Sequence, residues 1–316
     1  MLQEKFIIRD ADYKDLDCIY NLALLFNTVN LPANKRDLEH LISLSMNSFS
    51  LEEKNPAKRS FLFVLENSNK DIIGTSQIFS KHGTLESPHT YFTVNIEEKY
   101  SSTLQKYFKH IVLRLGQSFD GPTEVGSLIL NPKYRSHPQK LGKLLSYSRF
   151  LLMAMSKDLF ADRVIAELLP HMNEDEEPYL WKAVGKKFTN LSYAEADHLS
   201  RINKEFILNL FPSSDIYVSL LNSEVLDILG KVGKKSSGAA YLLSNIGFKY
   251  TSKIDPFDGG PHYEAEMKDI SIINDTKFLR IKVNNTYEKH KYLISWFNPL
   301  NASANRFFCC ILYGHH

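Results

Sequence analysis

The sequence predicts a mixed α/β (α+β) protein: a central mixed sheet flanked by helices, followed by a C-terminal extension. Three observations carry this. Short apolar runs alternate with stretches of helical periodicity, in the order β-α-α-β-β-β and then β-α-β-α-β. The hydrophobic fraction of 43% over 316 residues is enough for a sizeable core without cross-links. The stretch from 124 to 155 reads as a strong strand, a proline-broken polar loop and a helix.

The elements follow from local pattern. FIIR (6–9) reads as a strand. Asp12 then caps a helix, with Asp15 three residues on and Leu16, Ile19, Tyr20 and Ala23 at helical spacing. A second helix spans about Lys35 to Ser45. FLFVLE (61–66) and IIGTSQIF (72–79) flank the turn-rich NSNKD and form a hairpin. HTYFTVNI (89–96) and EVGSLILN (124–131) are strands. Leu144, Leu145, Ser148, Leu151, Leu152 and Met155 share one face of the next helix. RVIAELL (163–169) is an apolar strand, YLWKAVG (179–185) a short helix and KFTNLSY (187–193) a strand. After Ala196 come a helical stretch, a GKVGKKSSG loop, a further helix, the turn cluster FDGGP (257–261) and short strand-like pieces from about 268. YLWKAVGKKF (179–188) faintly echoes YLLSNIGFKY (241–250).

Composition excludes several function classes. A net charge of +2 with both signs dispersed gives no support to a nucleic-acid partner. Three cysteines, Cys18, Cys309 and Cys310, make neither a disulfide framework nor a zinc spacing, so no metal is expected. MLQEKFIIRDAD turns charged at once, unlike a signal peptide, and no apolar run is long enough for a bilayer. The expected setting is a reducing cytoplasm, with no membrane partner. GKVGKKSS has the wrong glycine separation for a P-loop, and no GxSxG elbow occurs. Cys309 and Cys310 lie in the apolar run FFCCIL, as core residues do.

The strand–loop–helix stretch carries the chemistry. A helix start exposes unpaired N–H groups and a partial positive charge, which suits a phosphate. In QKLGKLL, Gly142 permits close backbone approach, and Arg135, Lys140 and Lys143 add positive charge. The segment resembles the acyl-CoA signature of the GCN5-related N-acetyltransferase superfamily, with Gln139, Gly142 and Leu144 at the signature places. Leu144 stands where a second small residue is usual.

A closer resemblance covers residues 7 to about 267. LNPKYR, GKLLSYSRFLLMA, VIAELL, YAEADHLS, KEFILNLFPSSDIYV, LLSNIGFKY and DPFDGGPHYEAE resemble the arginine N-succinyltransferase family in order and rough spacing. The resemblance implies succinyl transfer from succinyl-CoA, as co-substrate, to the α-amino group of L-arginine. It implies an acyltransferase portion over 1–197 and a family-specific extension over 198–316. It also implies that Arg135, Gln139, Lys140, Leu141, Gly142, Lys143 and Leu144 hold the cofactor's phosphates, while the backbone of Leu128 to Leu130 pairs with the pantetheine arm. The family's TGHSELC-like segment reads GPTEVGS here, with Pro122 at the histidine place and Glu124 kept. Its GQVHP-like segment reads GKVGKKS, with Gly233 at the histidine place. These departures leave two alternatives: an enzyme of the same fold with another amine or acyl donor, or a catalytically silent subunit of a paired acyltransferase; the assembly expected for the chain is a homo- or hetero-oligomer.

Amine acylation needs a base, and Glu124 is the candidate, with Ser127 beside it to polarise the carbonyl or line the cleft. Trp181 takes the place of the tyrosine that often protonates the thiolate in this superfamily, and an indole N–H is no practical acid. A guanidinium substrate pairs with carboxylates. Glu195 and Asp197 share a face if YAEAD is extended, and Asp258, with Glu264 and Glu266, forms a second acidic group. Arg149, about two turns along the helix from the phosphate end, is a weaker candidate for the succinyl carboxylate.

Overall fold

The computed structural model describes residues 4–25, 31–85, 87–172, 177–200, 205–282, 290–298 and 306–314. In chain order its elements are β1 (Ile7–Asp10), α1 (Leu16–Leu24), α2 (Lys35–Phe49), β2 (Ser60–Glu66), β3 (Ile72–Phe79), β4 (His89–Ser101), β5 (Lys106–Ser118) and β6 (Thr123–Leu130). Then come α3 (Leu141–Met155), β7 (Arg163–Glu167), a π-helical turn (Trp181–Gly185), α4 (Lys186–Thr189), α5 (Tyr193–Ser200), α6 (Glu205–Leu210), β8 (Ile216–Tyr217), α7 (Ser223–Ile228) and α8 (Ser237–Ser244). The chain ends with β9 (Lys249–Ile254), β10 (Pro261–Glu266), α9 (Ser271–Asp275), β11 (His290–Phe297) and β12 (Phe307–Gly314). The expected mixed α/β class is what forms. Among the described residues, no helix is long and apolar enough to cross a membrane.

The chain packs as two compact units, one from 1–81, 123–164 and 266–316, the other from 82–122 and 165–265. In the first, six strands run in the order β11-β12-β1-β2-β3-β6, with every registered pair antiparallel. The apolar faces of α1 (Ile19, Leu22, Ala23) and α2 (Leu38, Ile42) bury Leu62, Val64, Ile72 and Ile129 of the sheet. The entry to α1 is fixed by the expected capping box: the Asp12 side chain accepts from Lys14 N–H at 2.9 Å and Asp15 from Asp12 N–H at 3.0 Å. Arg9 locks the same corner, pairing with Asp15 at 2.7 Å and Glu66 at 2.8 Å. Helix α3 packs on β3 and β6. It comes close because Gly74 has no side chain: a Cβ there would meet the Ile129 carbonyl at 2.7 Å and Leu145 at 3.0 Å.

In the second unit the strands run β7-β10-β9-β4-β5-β8, β7 contributing its residues 165–167. β4 and β5 form a hairpin of thirteen registered pairs, His89 opposite Ser118 to Ser101 opposite Lys106. Strand β5 was not among the sequence expectations, and β4 runs five residues beyond the expected 96. The core gathers Phe92, Leu113, Leu180, Trp181, Phe211 and Phe257, with Trp181 stacked on Phe257 at 5.1 Å.

One expected strand is absent. Residues 187–193 continue helically through α4, stop at Asn190 in the left-handed region (φ 58°), and restart as α5. Ser192 and Glu195 form a second capping box: Ser192 N–H donates to Glu195 Oε2 at 2.8 Å and Glu195 N–H to Ser192 Oγ at 3.3 Å. The echo between 179–188 and 241–250 therefore does not extend to the strand level, since only the second copy runs into a strand, β9.

Candidate active site

In the first unit the candidate site lies along β6, its following loop and the start of α3. Strand β6 is bulged: Ser127 has φ 49°, and the pairing with β3 slips between Thr75 and Gln77. The bulge is held on both sides. Ser127 Oγ donates to Gln77 Oε1 at 2.8 Å, and Thr75 Oγ1 donates to the Ser127 carbonyl at 3.2 Å. The Ser127 hydroxyl hydrogen is thus directed to Gln77 rather than into a cleft. Glu124 sits earlier on the strand, opposite Phe79 and only 5% exposed. Leu128 and Leu130 are half-buried further along.

The loop after β6 turns at Pro132–Tyr134, and the Gln139 amide donates to the Glu4 carbonyl at 2.9 Å. Lys140 enters the helix in the left-handed region (φ 53°), and Leu141 and Leu144 are buried. Arg135 and Lys143 are exposed, and the Lys143 ammonium lies 5.1 Å from the Tyr147 ring. A Cβ at Gly142 would meet nothing nearer than Leu130 at 3.9 Å, so the backbone there is open on its outer side. Beside it lies a cavity of about 330 Å³, lined among others by Gln139, Lys140, Lys143 and Tyr147 and by Lys291 and Tyr292 of β11. Three lysines around one cavity at a helix start make a setting for phosphate groups. The part of β11 in it had no signal in the sequence.

Arg149 lies deeper on α3 and is 2% exposed. Its Nε donates to the Ser146 carbonyl at 3.0 Å, one terminal nitrogen to Ser146 Oγ at 2.8 Å and the other to the Gly126 carbonyl at 3.4 Å. Among the described residues no carboxylate pairs with it, and burial pushes its guanidinium down to about 9, still charged at neutral pH.

In the second unit a cluster forms that the sequence did not single out. His89 at the start of β4 and His262 on β10 both face Glu167 at the end of β7, with Nε2 to Oε1 distances of 3.1 and 3.4 Å. The two imidazoles stack at 5.3 Å, and His82 lies edge-on to His89 at 4.5 Å. Burial pushes His89 down to about 4, against the raising effect of Glu167. Despite its own burial, Glu167 is held well below the usual carboxylate range by His262, His89 and His82. His82 N–H also donates to the Pro122 carbonyl at 2.8 Å, which places it beside the position expected to carry a family histidine.

The expected substrate carboxylates are separated by role. Glu195 and Asp197 do not share a face, because α5 is a helix; Glu195 is exposed and its carboxylate caps that helix. Asp258 is buried and accepts from Gly260 N–H at 2.7 Å in the turn between β9 and β10. Burial and then the Asp255, Glu167 and Asp197 charges hold Asp258 well above the usual carboxylate range. Trp181 is a core residue whose indole donates to the Leu191 carbonyl at 3.1 Å. Burial raises the Cys309 thiol well above its ordinary value, as for a core cysteine. Gly233 has no room for the histidine of the family segment: a Cβ there would lie 2.2 Å from the Pro170 carbonyl oxygen.

The chain is similar to known proteins in both sequence and fold. A family model described as arginine N-succinyltransferase beta subunit matches residues 6–272. A Pseudomonas aeruginosa protein named arginine N-succinyltransferase subunit beta is 32% identical over 280 residues, covering 88% of this chain and 81% of its own. A Yersinia pestis arginine N-succinyltransferase is 32% identical over 302 residues, covering 94% of this chain and 85% of its own. The solved structure of arginine/ornithine succinyltransferase subunit AI from Pseudomonas aeruginosa superposes with a TM-score of 0.82 at 26% identity, covering 98% of this chain and 89% of that one.

Proposed function

The chain belongs to the arginine N-succinyltransferase family, and from that premise we propose that it moves succinyl from succinyl-CoA to the α-amino group of L-arginine, in arginine catabolism. The observation that carries the reading beyond the family is the lysine-lined cavity at the first turn of α3. Lys140, Lys143 and Lys291 neutralise the phosphates of the acyl-CoA, and the open backbone at Gly142 lets the pyrophosphate reach the helix N–H groups. Gln139, Leu141 and Leu144 shape that turn, and Arg135 adds positive charge from the loop. The pantetheine arm lies along Leu128 to Leu130, and the bulge at Ser127 breaks the regular ladder beside the thioester.

The reaction has few steps. The neutral α-amine attacks the thioester carbonyl carbon, the C–S bond breaks, and the amide forms. Glu124 takes the amine's proton, directly or through a water, and the departing thiolate gains one from solvent. Ser127 fixes the strand at the reacting carbonyl. Carboxylates suit the guanidinium of the substrate, and Asp258, Asp197 and Glu195 of the second unit are the proposed ones. Arg149, a buried cation without a carboxylate partner among the described residues, receives the free carboxylate of the succinyl group.

The reading assigns acyl transfer to 1–197 and completion of the family fold to 198–316. It includes a cytoplasmic, homo- or hetero-oligomeric enzyme, in keeping with the subunit wording in the Pseudomonas names. One observation favours a second reading: the closed space at Gly233 excludes the family histidine, which suits a same-fold acyltransferase with another amine or acyl donor.

Gly142→Glu tests the cofactor site. Because the position is open, the variant folds with an unchanged melting temperature, while its anion at the pyrophosphate place abolishes CoA binding and turnover. Unchanged turnover would remove the cofactor from α3.

A further inference from the structure

We propose that His82, His89 and Glu167 bind one divalent transition-metal ion of the zinc type. The three come from separate places in the chain: the stretch before β4, the first residue of β4 and the last residue of β7. Each offers a ligand atom within 4.8 Å of the other two. The His89–Glu167 separation is 3.1 Å, and His262 approaches the same carboxylate oxygen at 3.4 Å. Ligands bonded at 2.0–2.2 Å to a tetrahedral ion stand about 3.3–3.5 Å apart, so the His89–Glu167 spacing is already close to that value and the half-buried His82 has to move in by no more than about 1.5 Å.

The donor set selects the class of ion. Two imidazoles and one carboxylate suit zinc, cobalt or nickel, whereas magnesium and calcium prefer all-oxygen shells. Burial favours a fixed geometry: His89 is 3% exposed, while the half-buried His82 gives the ion a way in. Three protein ligands leave a fourth position for water or a substrate atom. His262, fully buried and stacked on His89, approaches the same Glu167 oxygen at 3.4 Å and steadies the carboxylate as an outer partner. The ion ties the chain before β4 to the end of β7, and this binding stands or falls separately from the acyl-transfer reading.

The test is metal uptake by the full-length chain. Chelator-stripped protein is titrated with Zn²⁺ by calorimetry and with Co²⁺ by visible absorption. The expected result is one equivalent bound, the intense visible bands of low-coordinate Co²⁺, and a melting temperature raised by either metal. His82→Ala and His89→Ala each weaken binding by more than about 100-fold, beyond the 10–100-fold that an outer partner such as His262 costs. His89→Gln, which keeps a polar side chain, serves if the alanine variant does not fold. Absence of uptake overturns the proposal. So does full binding by His82→Ala together with loss in His262→Ala, which moves the ion to the neighbouring group of Glu167, Asp255 and His262.

Discussion

Replacing Arg149 by methionine separates a structural from a substrate-binding role for that cation. The Arg149 side chain is 2% exposed, and burial lowers its guanidinium from the ordinary arginine range to about 9. That displacement corresponds to about 5 kcal/mol of desolvation. Hydrogen bonds to Ser146 and Gly126 offset part of it. Methionine has similar length, carries no charge and leaves only neutral oxygens unpaired. The free protein is therefore expected to lose nothing or to gain about 1–2 kcal/mol in urea unfolding. Catalysis moves the other way. Losing a desolvated ion pair to the succinyl carboxylate costs about 3 kcal/mol, or roughly 100-fold in kcat/KM. Turnover of acetyl-CoA, which has no such carboxylate, stays within a few-fold. The assay is thiol release with each donor at saturating arginine. A variant destabilised by more than about 2 kcal/mol, with an unchanged succinyl-to-acetyl ratio, would refute the reasoning and make Arg149 a packing residue.

Gly233→Ala is expected to lower stability by about 1–3 kcal/mol, because its Cβ meets the backbone at Pro170 rather than a yielding side chain; an unchanged urea midpoint contradicts this. Asp10, whose carboxyl accepts from Arg306 and Phe307 N–H, is pushed up by burial from 3.8 to about 6. Its folded pKa is raised, so its contribution is fully present below pH 3.8 and is lost as pH rises through 6. Asp10→Asn keeps an acceptor and should gain on the wild type by up to about 3 kcal/mol above pH 6, with little gain at pH 4; a pH-independent difference in melting temperature contradicts the assignment. Glu124→Gln should lower kcat by about 100-fold or more at unchanged CoA affinity, and a smaller loss would move the base elsewhere.

Much of the first unit was legible because local signals agreed. Asp12 and Asp15 marked a helix start, NSNKD a hairpin, and the apolar spacing after Gly142 a buried helix face. The strand expected over 187–193 failed on one competing signal. Ser192 and Glu195 have capping-box spacing, and Asn190 is a residue that tolerates the left-handed region, yet the alternation of KFTNLSY reads as a strand. Strand β5 went unseen although it holds the apolar run Ile111–Val112–Leu113; its outer half is exposed and carries little apolar pattern. The site was legible only where it is contiguous. Gly142 and its lysines lie within one short stretch, but Lys291 joins the cavity through the pairing of β11, β12 and β1. His89, Glu167 and His262 are far apart in sequence, and each alone looks like an ordinary strand residue. Their convergence depends on strand order, which no local spacing encodes.

The most direct test of the central claim is thiol release from succinyl-CoA by the purified protein, with and without L-arginine, alongside calorimetric titration with succinyl-CoA, acetyl-CoA and CoA. The account predicts preferred binding of succinyl-CoA and stoichiometric release of CoA only when arginine is present, with N-succinylarginine formed in equal amount. Acyl-CoA binding without arginine-dependent release would contradict the substrate assignment, and absence of CoA binding would contradict the enzyme itself.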